Sequence, residues 1–539
     1  MRLDRRSFVL TGTLGLGAFA VPGFAQTGNA GALRGFTHAV ASGEPAADSM
    51  LLWTRYVPAS GDAATIRVEL SETPDFARIA GGEAQTTGPW RDWTVKITVD
   101  GLKPATRYHY RFIAPDGSLS PVGQTRTLPQ GPAKRFRAAV FSCSNIAFGY
   151  FNAYAHAAAR GDFDLAIHLG DYFYEYDAGH YPEPKDAIAA RVPEPAGELL
   201  ALADYRLRYA SYRADPDLQR LHQLMPMIVQ WDDHESANDS WEGGAENHQP
   251  AKGDWNARRA AAIQAYREWM PVSDEPWKAY DIGTLATLFR TESRLLARTK
   301  QPDIRGLILS ADPKAALAKF RDGAWRDPAA TMLGTTQESW LAHAMARSVK
   351  DGARWQVACF GTIMGETRLP AEAASWLNAN APARSKLYLT AGIMAGAAGL
   401  PFNVDNWGGY PLARARFLSA AQRAGANLVV LSGDSHNGWA YDLAQDGRPA
   451  GVEFAGPGVT SPGIESGVSA DPALVAATLV RGNPELKWCD TARRGYMALT
   501  ITPASVSNDW VMVDTIKTAS TAASTVHSAS VAHGRGVMV

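Results

Sequence analysis

Ligand-type side chains crowd four short stretches of the chain. They are Phe141-Ser142-Cys143-Ser144-Asn145, Gly170-Asp171-Tyr172-Phe173-Tyr174, Trp231-Asp232-Asp233-His234-Glu235 with Asn238-Asp239 beyond it, and Gly433-Asp434-Ser435-His436-Asn437. A glycine before Asp171 lets the backbone turn sharply and leaves the carboxylate at a sheet rim, where its two oxygens can bridge two cations. Tyr174, three residues on, reaches the same point. A phenolate and the thiolate of Cys143 must each lose a proton that neutral water leaves in place, and a strongly Lewis-acidic ion supplies that pull. If Cys143, Asp171, Tyr174, Asp233 and Asp434 all bind ionised, the site carries five negative charges. Buried charge must be balanced, and a trivalent ion beside a divalent one does so, whereas two divalent ions leave one charge over. Fe³⁺ suits phenolate and thiolate, and the oxygen-rich half, Asp233, Asn238 and Asp434, suits Ca²⁺ or another hard divalent ion.

Rival readings of the same residues are weaker. Taken singly, an Asp after a strand is usually a helix cap or turn former, but four such ends in one domain argue against that. His234-Glu235-Ser236-Ala237-Asn238 approaches the zinc-protease helix H-E-x-x-H but lacks its second histidine. Gly433-Asp434-Ser435-His436-Asn437 approaches the nucleophile elbow G-x-S-x-G, with Asn437 where the strained turn needs glycine. His168 and Cys359 lie inside apolar strands and read as core residues.

The elements that position these clusters change character along the chain. From Phe36 to about Thr127 the pattern is β, with strands at Met50 to Trp53, Thr65 to Leu70 and Trp93 to Val99. Gly101 to Phe112 resembles a tyrosine corner, which makes this segment a small fibronectin-like β-sandwich. Pro129-Gln130-Gly131-Pro132 then breaks the chain. Beyond it, buried strands at Arg137 to Phe141, Leu165 to Leu169, Met227 to Trp231, Trp355 to Phe360 and Leu428 to Leu431 alternate with helical stretches, an α/β pattern. The ligand clusters sit directly after strands, where a rigid sheet presents reactive groups. Alternating strands at Tyr496 to Ile501 and Val506 to Val513 close this second part. The Ala/Ser/Thr-rich remainder, residues 516–539, reads as a disordered tail. The predicted boundaries are thus 1–25 for an export signal, 33–130 for the sandwich, 134–515 for the catalytic domain and 516–539 for the tail.

Composition narrows the function. A chain of 539 residues with 46% hydrophobic and 20% charged residues is a folded protein of more than one domain. Lys+Arg 53 against Asp+Glu 54 leaves no basic field to gather nucleic acid. Three scattered cysteines exclude a disulfide framework and a zinc ribbon. Arg5-Arg6-Ser7-Phe8 leads into a glycine-diluted apolar stretch that ends at Gly23-Phe24-Ala25, a small-x-small cleavage site. This resembles a twin-arginine (Tat) signal, which predicts partnership with the Tat machinery and a periplasmic or secreted location. The stretch is too short to span a bilayer and no later segment is apolar enough, so no transmembrane segment is expected in the mature chain.

Together these motifs resemble the alkaline phosphatase D (PhoD) family of the calcineurin-like metallophosphatases. Phe36-Thr37-His38-Ala39-Val40-Ala41-Ser42-Gly43-Glu44-Pro45 and Leu52-Trp53-Thr54-Arg55 resemble the opening of its N-terminal domain, and the four clusters resemble its metal-site signatures in order. Most metallophosphatases have Asp-x-His where Cys143 stands and an asparagine where Asp233 stands. The resemblance implies a four-layer αββα catalytic domain, Tat export, and Fe³⁺ with Ca²⁺. It further implies that Cys143, Asp171, Tyr174 and His436 hold one ion, that Asp171, Asp233, Asn238 and Asp434 hold the other, and that Asp171 bridges them. Asn238 stands outside the core signature. Asn403 to Pro411 resembles a further family segment near the cleft and offers Asp405 as an extra ligand.

The expected reaction is attack on a phosphate ester by a hydroxide held between two ions, with His234 beside Asp233 stabilising the transition state or protonating the leaving alcohol. The expected substrates are phosphate monoesters and also diesters. A phosphodiesterase or phospholipase D of the same family is the alternative, and an exported iron redox protein or a carbohydrate-binding sandwich are the alternatives of other classes.

Overall fold

The computed structural model describes residues 34–377 and 383–539. The predicted export signal, 1–25, lies outside them. Among the described residues no helix is long and apolar enough to cross a membrane.

Two large sheets face each other. The first has nine strands in the order Ala523–Ala532, Ser505–Val513, Gly495–Ile501, Phe136–Phe141, Leu165–His168, Met227–Val229, Gly35–Gly43, Met50–Val57 and Thr94–Val99. The second has seven, in the order Lys278–Ile282, Ala286–Arg290, Trp355–Phe360, Leu428–Ser432, Arg448–Ala455, Gly438–Gln445 and Leu486–Asp490. Between them Val140, Ile167 and Leu499 from one sheet meet Val357, Leu431 and Val452 from the other in one dry core. Helices Asn152–Arg160, Leu202–Arg213 and Trp255–Trp269 cover the outer face of the first sheet, and Gly334–Lys350 and Pro411–Ala424 that of the second. The architecture is the expected αββα stack. Because the central strands are covered on both faces, they read as near-continuous apolar runs, broken only by His168, Gln356 and Ser432: every residue of Leu165–His168, Trp355–Phe360 and Leu428–Ser432 is buried.

The N-terminal strands form the expected sandwich, though not an isolated one. Ile79–Thr87, Ala64–Ser71, Arg107–Ile113 and Gly123–Arg126 make a four-stranded sheet. Its Ile66, Val68 and Phe112 pack on Val40, Leu52 and Val95 of the facing strands. Those facing strands belong to the nine-stranded sheet, which Gly43 joins through its parallel pairing with Met227. The tyrosine corner is present, with the Lys103 N–H donating to the Tyr108 hydroxyl at 2.9 Å.

Residues 516–539 correct the expectation of a disordered tail. Ala523–Ala532 pairs antiparallel with Ser505–Val513 along its length and ends the large sheet. Ala529 and Val531, two residues apart, bury their side chains in the inter-sheet core. The Ser/Thr-rich composition hid this period-two pattern, and the open edge of Ser505–Val513 supplies the hydrogen bonds.

Candidate metal centre

The clusters converge where the strand ends of both sheets meet. Leu165–His168 and Met227–Val229 end side by side, so closely that a Cβ on Gly170 would lie 2.5 Å from Asp232 Cβ. Gly170 has φ 111° and Asp171 φ 54°, which turns the Asp171 carboxylate back over the sheet rim. Cys143, Asp434 and His436 share this left-handed backbone, with φ 60°, 63° and 61°. Side-chain-bearing residues adopt it at a cost of about 1–3 kcal/mol each, and such strain gathers at functional sites.

Asp171 is the shared member. Its carboxylate lies with Cys143 Sγ and a His436 ring nitrogen in a group whose ligand atoms all fall within 4.8 Å of one another. A second group under the same limit joins Asp171 to Asp232, Asp233 and Asp434, and a third joins it to Asp233 and His234. Tyr174 Oη completes the first group, 3.3 Å from Asp171 Oδ2, 3.0 Å from His436 Nε2 and 2.7 Å from Ser461 Oγ. His436 Nδ1 lies 2.7 Å from the Pro462 carbonyl, which can only accept, so Nδ1 carries the proton and Nε2 presents a lone pair to the cluster. Asp171 Oδ1 is buried and makes no hydrogen bond within the protein.

Electrostatics suit this cluster to a cation. Burial pushes the Asp171 carboxyl well up, and Asp233 and Asp232 add to it against His234. Burial and Asp232 do the same to Asp434. Burial and Asp171 push both the Cys143 thiol and the Tyr174 phenol upward. Asp233 is the exception: burial opposes its ionisation, but His234 and Arg294 outweigh that and hold it below the usual carboxylate range. Buried groups of one sign whose ionisation is resisted on every side are what a bound cation relieves. The donor set, one thiol, one phenol, one imidazole and three carboxylates around an orphaned carboxylate oxygen, fits a pair of metal ions.

The neighbouring acids are already neutralised. Asp232 takes two hydrogen bonds from Arg294, at 2.6 and 3.0 Å. Asp405 accepts from Arg294 and Arg298, each at 2.5 Å. Asp405 also falls within 4.8 Å of Asp233 and Asp239, in a further group that could hold a cation, with both its oxygens accepting from buried guanidinium groups. Glu235, the would-be protease base, accepts instead from the backbone N–H groups of Asp171, Tyr172 and Asp232 and stitches the two ligand loops together.

Several participants were not anticipated. Glu175, fully buried, sits 2.7 Å from His234 Nδ1 and also accepts from Asn238 N and Asn247 Nδ2. Burial works against the His234 charge, but Asp233 and Glu175 outweigh it and raise the imidazole well above its ordinary value. The sequence hint was the extension of Gly-Asp-Tyr-x-Tyr by one acid. Asn238 turns its amide to Glu246 at 2.6 Å, and the carboxylate of that loop which joins the cluster belongs to the next residue, Asp239. Burial and Asp405 push Asp239 up to about 8. Ser435 has no base: its hydroxyl accepts from Trp439 Nε1 at 2.8 Å and lies 3.2 Å from the Asn437 carbonyl. His168 is a satisfied core residue, 2.9 Å from the Tyr154 hydroxyl.

Comparison with known proteins agrees with this geometry. The profile of the PhoD-like phosphatase family matches residues 138–510, and that of the PhoD-like phosphatase N-terminal domain matches residues 23–129. Alkaline phosphatase D of Bacillus subtilis (strain 168) is 30% identical over 503 residues, covering 88% of this chain and 77% of that protein. A solved structure of PhoD superposes with a TM-score of 0.76 at 28% identity, covering 96% of this chain and 93% of the other. The purple acid phosphatase PPD1 from yellow lupin seeds shares the fold, with a TM-score of 0.56 at 13% identity over 93% of this chain and 74% of its own.

Proposed function

The chain belongs to the PhoD-like phosphatase family and is a phosphoric ester hydrolase, and from that premise we propose which residues hold its metals and move its protons. Cys143, Asp171, Tyr174 and His436 hold Fe³⁺. Asp171, Asp233 and Asp434, with Asn238 at the edge, hold Ca²⁺ or another hard divalent ion. The observation that carries this reading is the membership of Asp171 in both ligand groups.

Charge supports the choice of ions. Arg294 and Arg298 offset Asp232 and Asp405, and the His234 imidazolium offsets Glu175. With Asp239 pushed up to about 8 and so protonated at neutral pH, the groups assigned to the ions that remain are Cys143, Asp171, Tyr174, Asp233 and Asp434, the set that one trivalent and one divalent ion balance. When bound, such a pair supplies Lewis acidity toward the phosphoryl oxygens and lowers the pKa of water. The chain's own residues do the rest. Glu175 fixes His234 with Nδ1 protonated, which leaves Nε2 as the nitrogen that hands a proton to the leaving oxygen. Glu235 keeps the Asp171 and Asp233 loops in register through three backbone donors. His234 and, 3.9 Å away, the Arg294 guanidinium keep the Asp233 carboxylate ionised against its burial.

The substrates are phosphate monoesters, with diesters the second class that the same centre serves. Export by the Tat pathway to the periplasm or beyond follows from Arg5-Arg6-Ser7-Phe8. Metal analysis of protein purified from an exporting host, paired with kcat/KM for a monoester and a bis-ester of the same alcohol, tests the reading. Iron and calcium in equal amounts with turnover of the monoester are expected. Iron retained without hydrolysis of either ester would return the protein to the redox class.

A further inference from the structure

A half-open pocket of about 500 Å³, its wall more apolar than polar, borders the candidate centre; Asp434 and His436 form part of that wall, and its polar Asn403, Asn406 and Ser435 are engaged by Asp405 N, Gly408 N and Trp439 Nε1. Trp376, Leu369 and Trp439, all buried, supply much of the rest, with half-buried Phe402, Ile464 and Val468. Among the described residues that line it, Arg305 and Asp434 are the only charged side chains, and Arg305 is 72% exposed and turned to Glu246. Pockets for polyanionic substrates are built from several buried Lys or Arg groups, and this wall has none.

The cavity is registered to the centre. The Ile464 N–H donates to Asn437 Oδ1 at 2.9 Å, and His436 Nδ1 donates to the Pro462 carbonyl, so one wall of the pocket hangs from the turn that carries Asp434 and His436. A phosphoryl group bound at the centre beside those two residues therefore directs its organic substituent along the Trp376, Phe402 and Ile464 surface. Its volume is that of a site which encloses a small organic group.

Resting on the phosphoester reading above, we infer that this cavity receives the organic group of the ester, and that the enzyme's substrate class is phosphate esters of apolar alcohols, alkyl or aryl, rather than of sugars or nucleosides. Apolar area leaving water is the source of the preference, worth about fourfold in kcat/KM for each methylene that enters.

The test is a series of n-alkyl monophosphates, ethyl, butyl and hexyl, with the metallated full chain. The acidity of the leaving alcohol is nearly constant along it, so the chemistry is held while the apolar length grows. A rise of about fourfold per methylene is expected, with glycerol phosphate no better than ethyl phosphate. In Phe402→Ala and Ile464→Asp the hexyl-to-ethyl ratio falls at least fivefold. That ratio does not depend on the fraction of active enzyme, so a poorly folding variant still reports. A flat series in the parent enzyme, a preference for glycerol phosphate, or ratios unchanged in both variants would overturn the inference while leaving the hydrolase intact. Absence of turnover on every ester would instead overturn the functional reading beneath it.

Discussion

Glu175→Gln isolates the proton-handling part of the site. The carboxylate is fully buried and meets His234 Nδ1 at 2.7 Å, Asn238 N at 2.7 Å and Asn247 Nδ2 at 2.8 Å, all donors when His234 is protonated. A glutamine of the same shape has one accepting oxygen and one donating nitrogen, so it faces at least one donor with another. What is lost is a charge-assisted hydrogen bond, about 1.5–3 kcal/mol. At about 1.4 kcal/mol per tenfold that is roughly a 10- to 150-fold fall in kcat/KM, if the bond is needed in the transition state. The assay compares two monoesters in the metallated protein. An alkyl phosphate needs a proton on its leaving oxygen, whereas p-nitrophenyl phosphate releases a stable phenolate. The full loss should fall on the alkyl ester and little of it on the nitrophenyl ester, with metal content unchanged. An equal loss on both esters would refute proton delivery by His234 and assign the pair to holding the Asp233 loop in place.

Four other outcomes follow from the geometry. Asp171→Ala should abolish turnover and lower occupancy of both ions by elemental analysis; loss of one ion alone would mean the carboxylate is not shared. Ser435→Ala should keep activity within about tenfold, below the ~10²–10⁴-fold that a positioned catalytic group contributes; near-complete inactivation with metals retained would point to serine chemistry. Arg294→Met leaves Asp232 without a partner in a buried setting and takes one of the two guanidinium partners from Asp405, so it should cost about 3–5 kcal/mol in urea unfolding, a loss that unchanged stability would contradict. His168 is held neutral by burial, its pKa lowered from 6.5 to about 3, so its contribution to stability is complete above pH 6.5 and is lost as the pH falls toward 3. From pH 6.5 down to about 5 this amounts to about 2 kcal/mol, and His168→Gln should reduce the slope of stability against pH by one proton, whereas an unaltered slope would refute it.

The sequence alone determined the ingredients and their order. Apolar runs at Leu165 to Leu169, interrupted only by His168, and at Leu428 to Leu431 announce strands covered on both faces, because burial on both sides favours near-continuous hydrophobicity. Gly170-Asp171 and Gly433-Asp434 announce carboxylates at sheet rims, and Gly101 to Tyr108 announces the corner that Lys103 and Tyr108 close. These are short-range patterns, set by backbone sterics and side-chain period within a few residues. Tertiary structure decided how charge is shared. Arg294 lies 62 residues from Asp232 and 111 from Asp405, and Glu175 lies 59 from His234. No local rule reveals that two of the cleft's acids are paired with buried guanidinium groups, that Asp239 joins Asp233 and Asp405 in one acidic group, or that the Ser/Thr-rich end finds an open edge at Ser505–Val513. Pairing of buried charges and of strand edges depends on which distant segments the fold brings into contact, because both kinds of partner are chosen by proximity in space.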